Sequence, residues 1–346
     1  MRLPIALVAA SLIGGATVAQ PQPTDPLFAT DQGETRGVLV LIDGQVAQKR
    51  YAPGYSDANR FISWSMAKTI TAMLVGELVS DGRLQLDAPA PIAEWQGDVR
   101  RRITLRQMLH MASGLDHTEV GEPIENSDTN QILFVGGTQD MAARAIGKPM
   151  EAAPGARFEY SSMTSLILSE IITRTLTDGH DPRVRAAAYR RFAEERLFRP
   201  AGITTAFLEF DGAGTQIGGS ILHMGLDDWG RIGTLLLEGR GADGRQVIAP
   251  EWLAFMKAPS PANGHYGGQV WLNTEGAEDA LFPGKGPATT VAALGHLGQY
   301  VIAARGTVPG TATPRSVVMV RLGKTQDDQL GAVRAALGNA IDPLVE

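Results

Sequence analysis

The run Gly37-Val38-Leu39-Val40-Leu41-Ile42 is apolar without a break, which reads as a buried strand. Asp43-Gly44 then marks a turn, and the chain returns as a second strand through Tyr51. Met66, Ile70, Met73, Leu74 and Leu78 recur at helical spacing and predict a helix over 65–81 with one apolar face, stopped at Gly82. Residues 83–215 alternate short helices with loops bearing Gly and Pro; 103–111, 163–176 and 186–198 are the clearest helices. A further helix is expected over 227–238, ending at Gly239. Strands over 299–305 and 316–322 and a helix over 327–339 close the chain. The strand-rich segments thus lie at both ends. Such ends can share one antiparallel sheet, with the helical middle inserted, which gives an α+β fold. The expected division is a sheet lobe over about 36–80 and 216–346 and a helical lobe over about 81–215. Clefts between lobes are common ligand sites, so chemistry is sought there.

The first residues carry a different pattern. Arg2 is followed by an apolar run to Ala19, with small residues at Thr17 and Ala19 where a signal peptidase cuts. Residues 1–19 are therefore expected to be a cleaved signal peptide, and the mature protein periplasmic or secreted, with no stable membrane insertion. The run is interrupted by Pro4, Gly14 and Gly15 and is weak for a bilayer span. Residues 20–35, rich in Pro and polar groups, read as a linker to a single domain over 36–346. Composition narrows the chemistry. The 346 residues carry 31 Lys and Arg against 37 Asp and Glu, a net charge of −6, with no basic block, so nucleic acid is not an expected partner. Cysteine is absent, which excludes disulfides, thiol catalysis and thiolate zinc sites. No metal-ligand spacing appears among the six histidines, and neither metal nor cofactor is expected.

Three short motifs carry candidate chemistry. Ser65-Met66-Ala67-Lys68 opens the best-patterned helix, so Ser65 and Lys68 share a face off the apolar stripe. A lysine in a first turn opposes the helix dipole. That dipole favours developing negative charge and lowers the proton affinity of Lys68, which would let it take the proton of Ser65. Tyr160-Ser161-Ser162 follows a Pro-Gly turn. A phenol beside an ammonium can share one proton, as a histidine would in a triad, and Ser162 is placed to bond Lys68 or substrate. His296-Leu297-Gly298-Gln299 leads into a strand. There the N–H of Gln299, with that of Ser65, would make an oxyanion hole, and His296 and Gly298 would contact substrate. The other histidines read as structural or surface residues. Trp64, Trp229, Trp252 and Trp271 read as core. Lid loops are expected over 119–137 and 276–290.

In this order the motifs resemble the penicillin-recognising serine hydrolases: AmpC-type β-lactamases, D-Ala-D-Ala peptidases, family VIII esterases and 6-aminohexanoate-dimer hydrolase. Residues 105–115, 154–162, 195–203, 218–220 and 295–300 extend the resemblance over roughly 36–338. It implies a β-lactamase/transpeptidase-like fold, an acyl-enzyme on Ser65, and Lys68 and Tyr160 as acid/base partners. Two departures matter. The β-lactamases have Tyr-x-Asn where this chain ends on Ser162, and Lys-Thr-Gly where it has His296-Leu297-Gly298. Leu297 offers no hydroxyl to a substrate carboxylate. That shifts the expectation toward a small ester or linear amide, with a β-lactamase or D-Ala-D-Ala peptidase as the alternative. A non-catalytic binder of cell-wall fragments is the alternative from another class. The sequence leaves oligomeric state and substrate identity open.

Overall fold

The computed structural model describes residues 22–274 and 281–346. The expected signal peptide lies outside the described residues, as does 276–280 of the second expected lid loop. Among the described residues no helix is long and apolar enough to cross a membrane.

Residues 22–35 are not the free linker their composition suggested. They form two short helical turns, Asp25–Phe28 and Thr30–Gln32, and bury Thr24, Leu27, Gln32 and Thr35. The reason is Arg321, fully buried in the sheet, whose guanidinium donates to the Gln32 carbonyl (3.0 Å) and to Thr35 Oγ1 (3.1 Å). A buried cation needs acceptors, and this segment supplies them.

Strand β1 (Glu34–Ile42) turns through Asp43 and Gly44, both at positive φ, into β2 (Gln45–Tyr51), the hairpin the pattern predicted. Strand β3 (Phe61–Ile62) leads through a 3₁₀ turn, Trp64–Met66, into helix α1 (Ala67–Ser80). Helices α2 (Leu105–Leu109), α3 (Asp128–Asn130), α4 (Met141–Ile146), α5 (Ser162–Leu176), α6 (Pro182–Ala193) and α7 (Arg199–Ala201) follow. Strands β4 (Phe207–Leu208) and β5 (Leu222–Met224) join β3 in a small sheet ordered β3-β5-β4. Then come α8 (Leu226–Glu238), α9 (Pro250–Lys257), β6 (Trp271–Leu272), β7 (Val291–Gly295), β8 (Gln299–Thr307), β9 (Pro314–Lys324) and α10 (Leu330–Ile341). The main sheet runs β2-β1-β9-β8-β7-β6, with every neighbour antiparallel. The first and last strands of the chain do share one sheet.

Alternation within the central strands divides the core. Val301, Ala303, Val318, Val320 and Leu322 face a cluster built with α1, α5 and α8. Tyr300, Ile302, Ala304, Val317 and Met319 face the opposite way, onto Val333, Leu337 and Ile341 of α10. Covering on both faces is why these strands read as unbroken apolar runs.

Helix α1 departs from the one-faced expectation. Every residue from Ala67 to Leu78 is buried, Lys68, Thr69 and Thr71 among them. It lies between α5 and the end of the main sheet, so it has no solvent face. Its polar groups are paired instead: Thr69 Oγ1 donates to the Gln269 carbonyl and Thr71 Oγ1 to that of Gly218. Lys68 is the exception with chemical interest.

Candidate active site

The site begins where β3 meets α1. Trp64 stands at φ 43°, a left-handed conformation that costs a tryptophan about 1–3 kcal/mol. The turn that follows sets Ser65, half-buried, at the head of α1. Strand β7 holds this turn from the side. Gly295 comes so close that a Cβ there would overlap the Ser63 carbonyl. Ser65 therefore sits in a 3₁₀ turn ahead of the helix rather than in its first α turn, and its N–H belongs to the end that helix geometry leaves unpaired.

Lys68 is 1% exposed, and its Nζ donates three hydrogen bonds: to Ser65 Oγ (2.9 Å), to Ser162 Oγ (2.8 Å) and to the Gly219 carbonyl (2.6 Å). Burial pushes its pKa down to about 8, against an upward pull from the Glu119 carboxylate. The Gly219 carbonyl can approach because a Cβ at that position would overlap the backbone of Ser162.

Helix α5 brings the second motif. Ser161 caps it, its Oγ accepting from the Thr164 N–H, and this fixes Tyr160 just outside and Ser162 just inside the first turn. The Lys68 ammonium lies 4.7 Å from the centroid of the Tyr160 ring, and the Ser65 hydroxyl is near enough to the phenol to favour its ionised form. Burial drives the Tyr160 pKa well above its ordinary range, with the charge of Glu119 adding to the effect and the Ser65 hydrogen bond opposing it. Burial thus disfavours the charged form of both groups, pushing the lysine down and the phenol up. Tyr266 and Trp271 hold the Tyr160 ring at centroid distances of 5.9 and 5.6 Å. Trp229 and Trp252 are core, as expected. Trp64 and Trp271 are half-buried at the site, which corrects the sequence reading for those two.

The third motif leads into a strand as expected: β8 begins at Gln299. Residues 296–298 themselves form the turn between β7 and β8, with Leu297 and Gly298 both at positive φ. Gly298 is buried in this turn, a Cβ would overlap the Arg321 guanidinium, and its carbonyl accepts from Arg321 Nη1 at 2.6 Å. Gln299 is also buried beyond the turn, its side chain bonded both ways to the backbone of Gly323 on β9. The backbone set most closely against the turn that carries Ser65 is that of Gly295, on β7, which meets the Ser63 carbonyl. His296 is exposed and edge-on to Trp64 at 5.4 Å. Phe134 also meets Trp64 edge-on, at 6.5 Å, and is 60% exposed.

Sequence reasoning missed Glu119. Its Oε2 accepts from the Ser162 N–H (2.6 Å) and from Thr129 Oγ1 (2.7 Å), and its Oε1 accepts from Ser162 Oγ (2.7 Å). It sits at the start of a region expected only as a lid loop, and an isolated acid in a polar loop carries no pattern. Among the described residues no group of acidic or histidine side chains is arranged to hold a metal ion.

A hydroxyl at a helix head, a buried amine within hydrogen-bonding distance of it and a phenol against both define a serine-centred site. The chain belongs to the beta-lactamase family, whose model matches residues 26–338. It is 24% identical over 237 residues to the 6-aminohexanoate-dimer hydrolase of Paenarthrobacter ureafaciens, a match covering 63% of this chain and 56% of that relative's length. Among solved structures it is similar to a Bacillus anthracis protein assigned as a 6-aminohexanoate-dimer hydrolase, with a TM-score of 0.68 and 21% identity over 88% of this chain and 77% of that one. EstA from Arthrobacter nitroguajacolicus Rue61a matches with a TM-score of 0.61 and 13% identity over 89% of this chain and 92% of its own.

Proposed function

We propose that the protein hydrolyses a small ester or linear amide through an acyl-enzyme on Ser65. The observation that carries this is the 2.9 Å hydrogen bond between Lys68 Nζ and Ser65 Oγ, made by a lysine whose burial lowers its pKa to about 8. Neutral Lys68 takes the Ser65 proton as Oγ attacks the substrate carbonyl. The N–H of Ser65 and one from the β7 edge stabilise the oxyanion. Tyr160 gives its proton to the leaving group as the scissile bond breaks and regains one from the Lys68 ammonium; water, deprotonated in turn by neutral Lys68, then displaces Ser65 Oγ, which takes that proton back. A pure binding protein would have no use for a buried, hydrogen-bonded lysine under its serine.

The rim of the site favours a substrate with an apolar body. Trp64, next to Ser65 in the chain, and the exposed Phe134 against it offer aromatic surface, and the exposed His296 at the Trp64 ring supplies one polar group. The similarity to the dimer hydrolase of Paenarthrobacter ureafaciens supports including linear amides. Export, from the expected signal peptide, belongs to the same proposal. In bacteria expressing the full chain, N-terminal sequencing should find a start near Gln20.

The test is a panel of p-nitrophenyl esters of increasing acyl length, nitrocefin, D-amino-acid amides and 6-aminohexanoate oligomers, run on wild type and Ser65→Ala. Esters or linear amides should turn over, and Ser65→Ala should lose about 10⁴-fold or more. Phe134→Ala should raise KM for the longer esters by about tenfold. Nitrocefin hydrolysis as fast as ester hydrolysis would move the reading to a β-lactamase.

A further inference from the structure

We propose that Glu119 is a positioning residue that orients the hydrogens around Lys68, so that the lone pair of the neutral amine faces Ser65 alone. The inference rests on the reading of Ser65 as nucleophile and Lys68 as its base.

The Glu119 carboxylate has no proton to give, and Ser162 Oγ lies 2.7 Å from its Oε1, so the Ser162 hydroxyl must donate to it. With its hydrogen committed, Ser162 Oγ can only accept from Lys68, at 2.8 Å. The Gly219 carbonyl, at 2.6 Å, is likewise an acceptor alone. A neutral amine has two N–H bonds. Both are then taken, by Ser162 and Gly219, and the lone pair is left for the third neighbour, the Ser65 hydroxyl at 2.9 Å. Without the carboxylate, the Ser162 hydroxyl is free to turn and donate to Lys68 itself. It would then compete with Ser65 for the lone pair, and the base would be engaged by the wrong serine. Glu119 is itself held by the N–H of Ser162 and by Thr129 Oγ1, so its two oxygens are fixed. The titratable groups around Lys68 are this carboxylate and the phenol of Tyr160, which is backed by Tyr266.

The experiment is the pH profile of kcat/KM for a p-nitrophenyl ester in wild type, Ser65→Ala, Glu119→Gln and Ser162→Ala. Glu119→Gln should lower the plateau about 10²-fold. It should also move the acid limb to lower pH, because a negative charge that raises the proton affinity of Lys68 is gone. Ser162→Ala should lower the plateau to a similar degree and leave the limb in place, because the charge remains. That variant keeps the backbone N–H bond to Glu119, so it preserves the helix cap and decides the matter should Glu119→Gln fail to fold. A loss due to a damaged cap alone would not separate the two profiles in this way. If Ser65→Ala is inactive while Glu119→Gln and Ser162→Ala keep the wild-type plateau and limb, this inference is wrong and the nucleophile stands. If Ser65→Ala matches wild type, the reading of the site falls and takes this inference with it.

Discussion

At the scale of single residues, the account turns on Lys68. Because burial holds its pKa near about 8, activity should fall as pH drops through that value and the amine takes up a proton. A profile of kcat/KM flat from pH 6 to 9 would contradict this. Tyr160→Phe should reduce kcat by at least about 10²-fold with little change in overall stability, which thermal unfolding alongside kinetics would check. The same burial has a consequence for folding. The ordinary lysine value is 10.5, so between about 8 and that value the unfolded chain binds more protons than the folded one. Wild type should therefore gain stability relative to Lys68→Met as pH rises through that window, measured by denaturant unfolding. Ser65, Lys68 and Tyr160 were legible because motif spacing and position in predicted elements agree. Glu119 was not, since its role comes from a helix end more than forty positions away in the chain.

At the scale of elements, the site depends on backbones that approach closely. The Gly218-Gly219 segment and Gly295 at the end of β7 each press on another element with no room for a side chain. Gly219→Ala would push its new Cβ against the Ser162 backbone and draw the carbonyl away from Lys68. The variant should lose about 1–3 kcal/mol of stability and most of its activity, seen by thermal unfolding and ester hydrolysis together. The helices and outer strands were readable from periodicity: α5 and α8 begin within a residue of expectation, and α8 ends at Gly239. Strand β7 was not. Its short apolar run merges into a Gly-bearing loop, so the strand entered at Gln299 was legible while the hairpin that precedes it was not. The turn has a physical source. Two successive residues at positive φ, one of them leucine, are held by bonds to the neighbouring Arg321 and Thr325, and nothing local announces them.

At the scale of the molecule, antiparallel pairing of both chain ends makes one sheet, and the site lies where its β7 end meets α1 and α5. The α+β class followed from where the strand patterns fall. The part played by residues 22–35 did not, because polar composition hides a segment that serves as hydrogen-bond acceptor for a buried arginine. Deleting residues 22–35 should strip Arg321 of the Gln32 and Thr35 acceptors and expose Leu27's site, destabilising the fold by roughly 3 kcal/mol or more. Unchanged unfolding midpoints in the truncated chain would show that the segment is dispensable.

The central claim is that one serine hydroxyl is activated by the amine beneath it. The most direct measurement is peptide mass spectrometry of the protein after reaction with a fluorophosphonate, timed in wild type and in Lys68→Ala. The account predicts a single adduct on the peptide bearing Ser65, formed at least about 10²-fold more slowly in Lys68→Ala. An adduct on another residue, or equal rates in the two proteins, would contradict it.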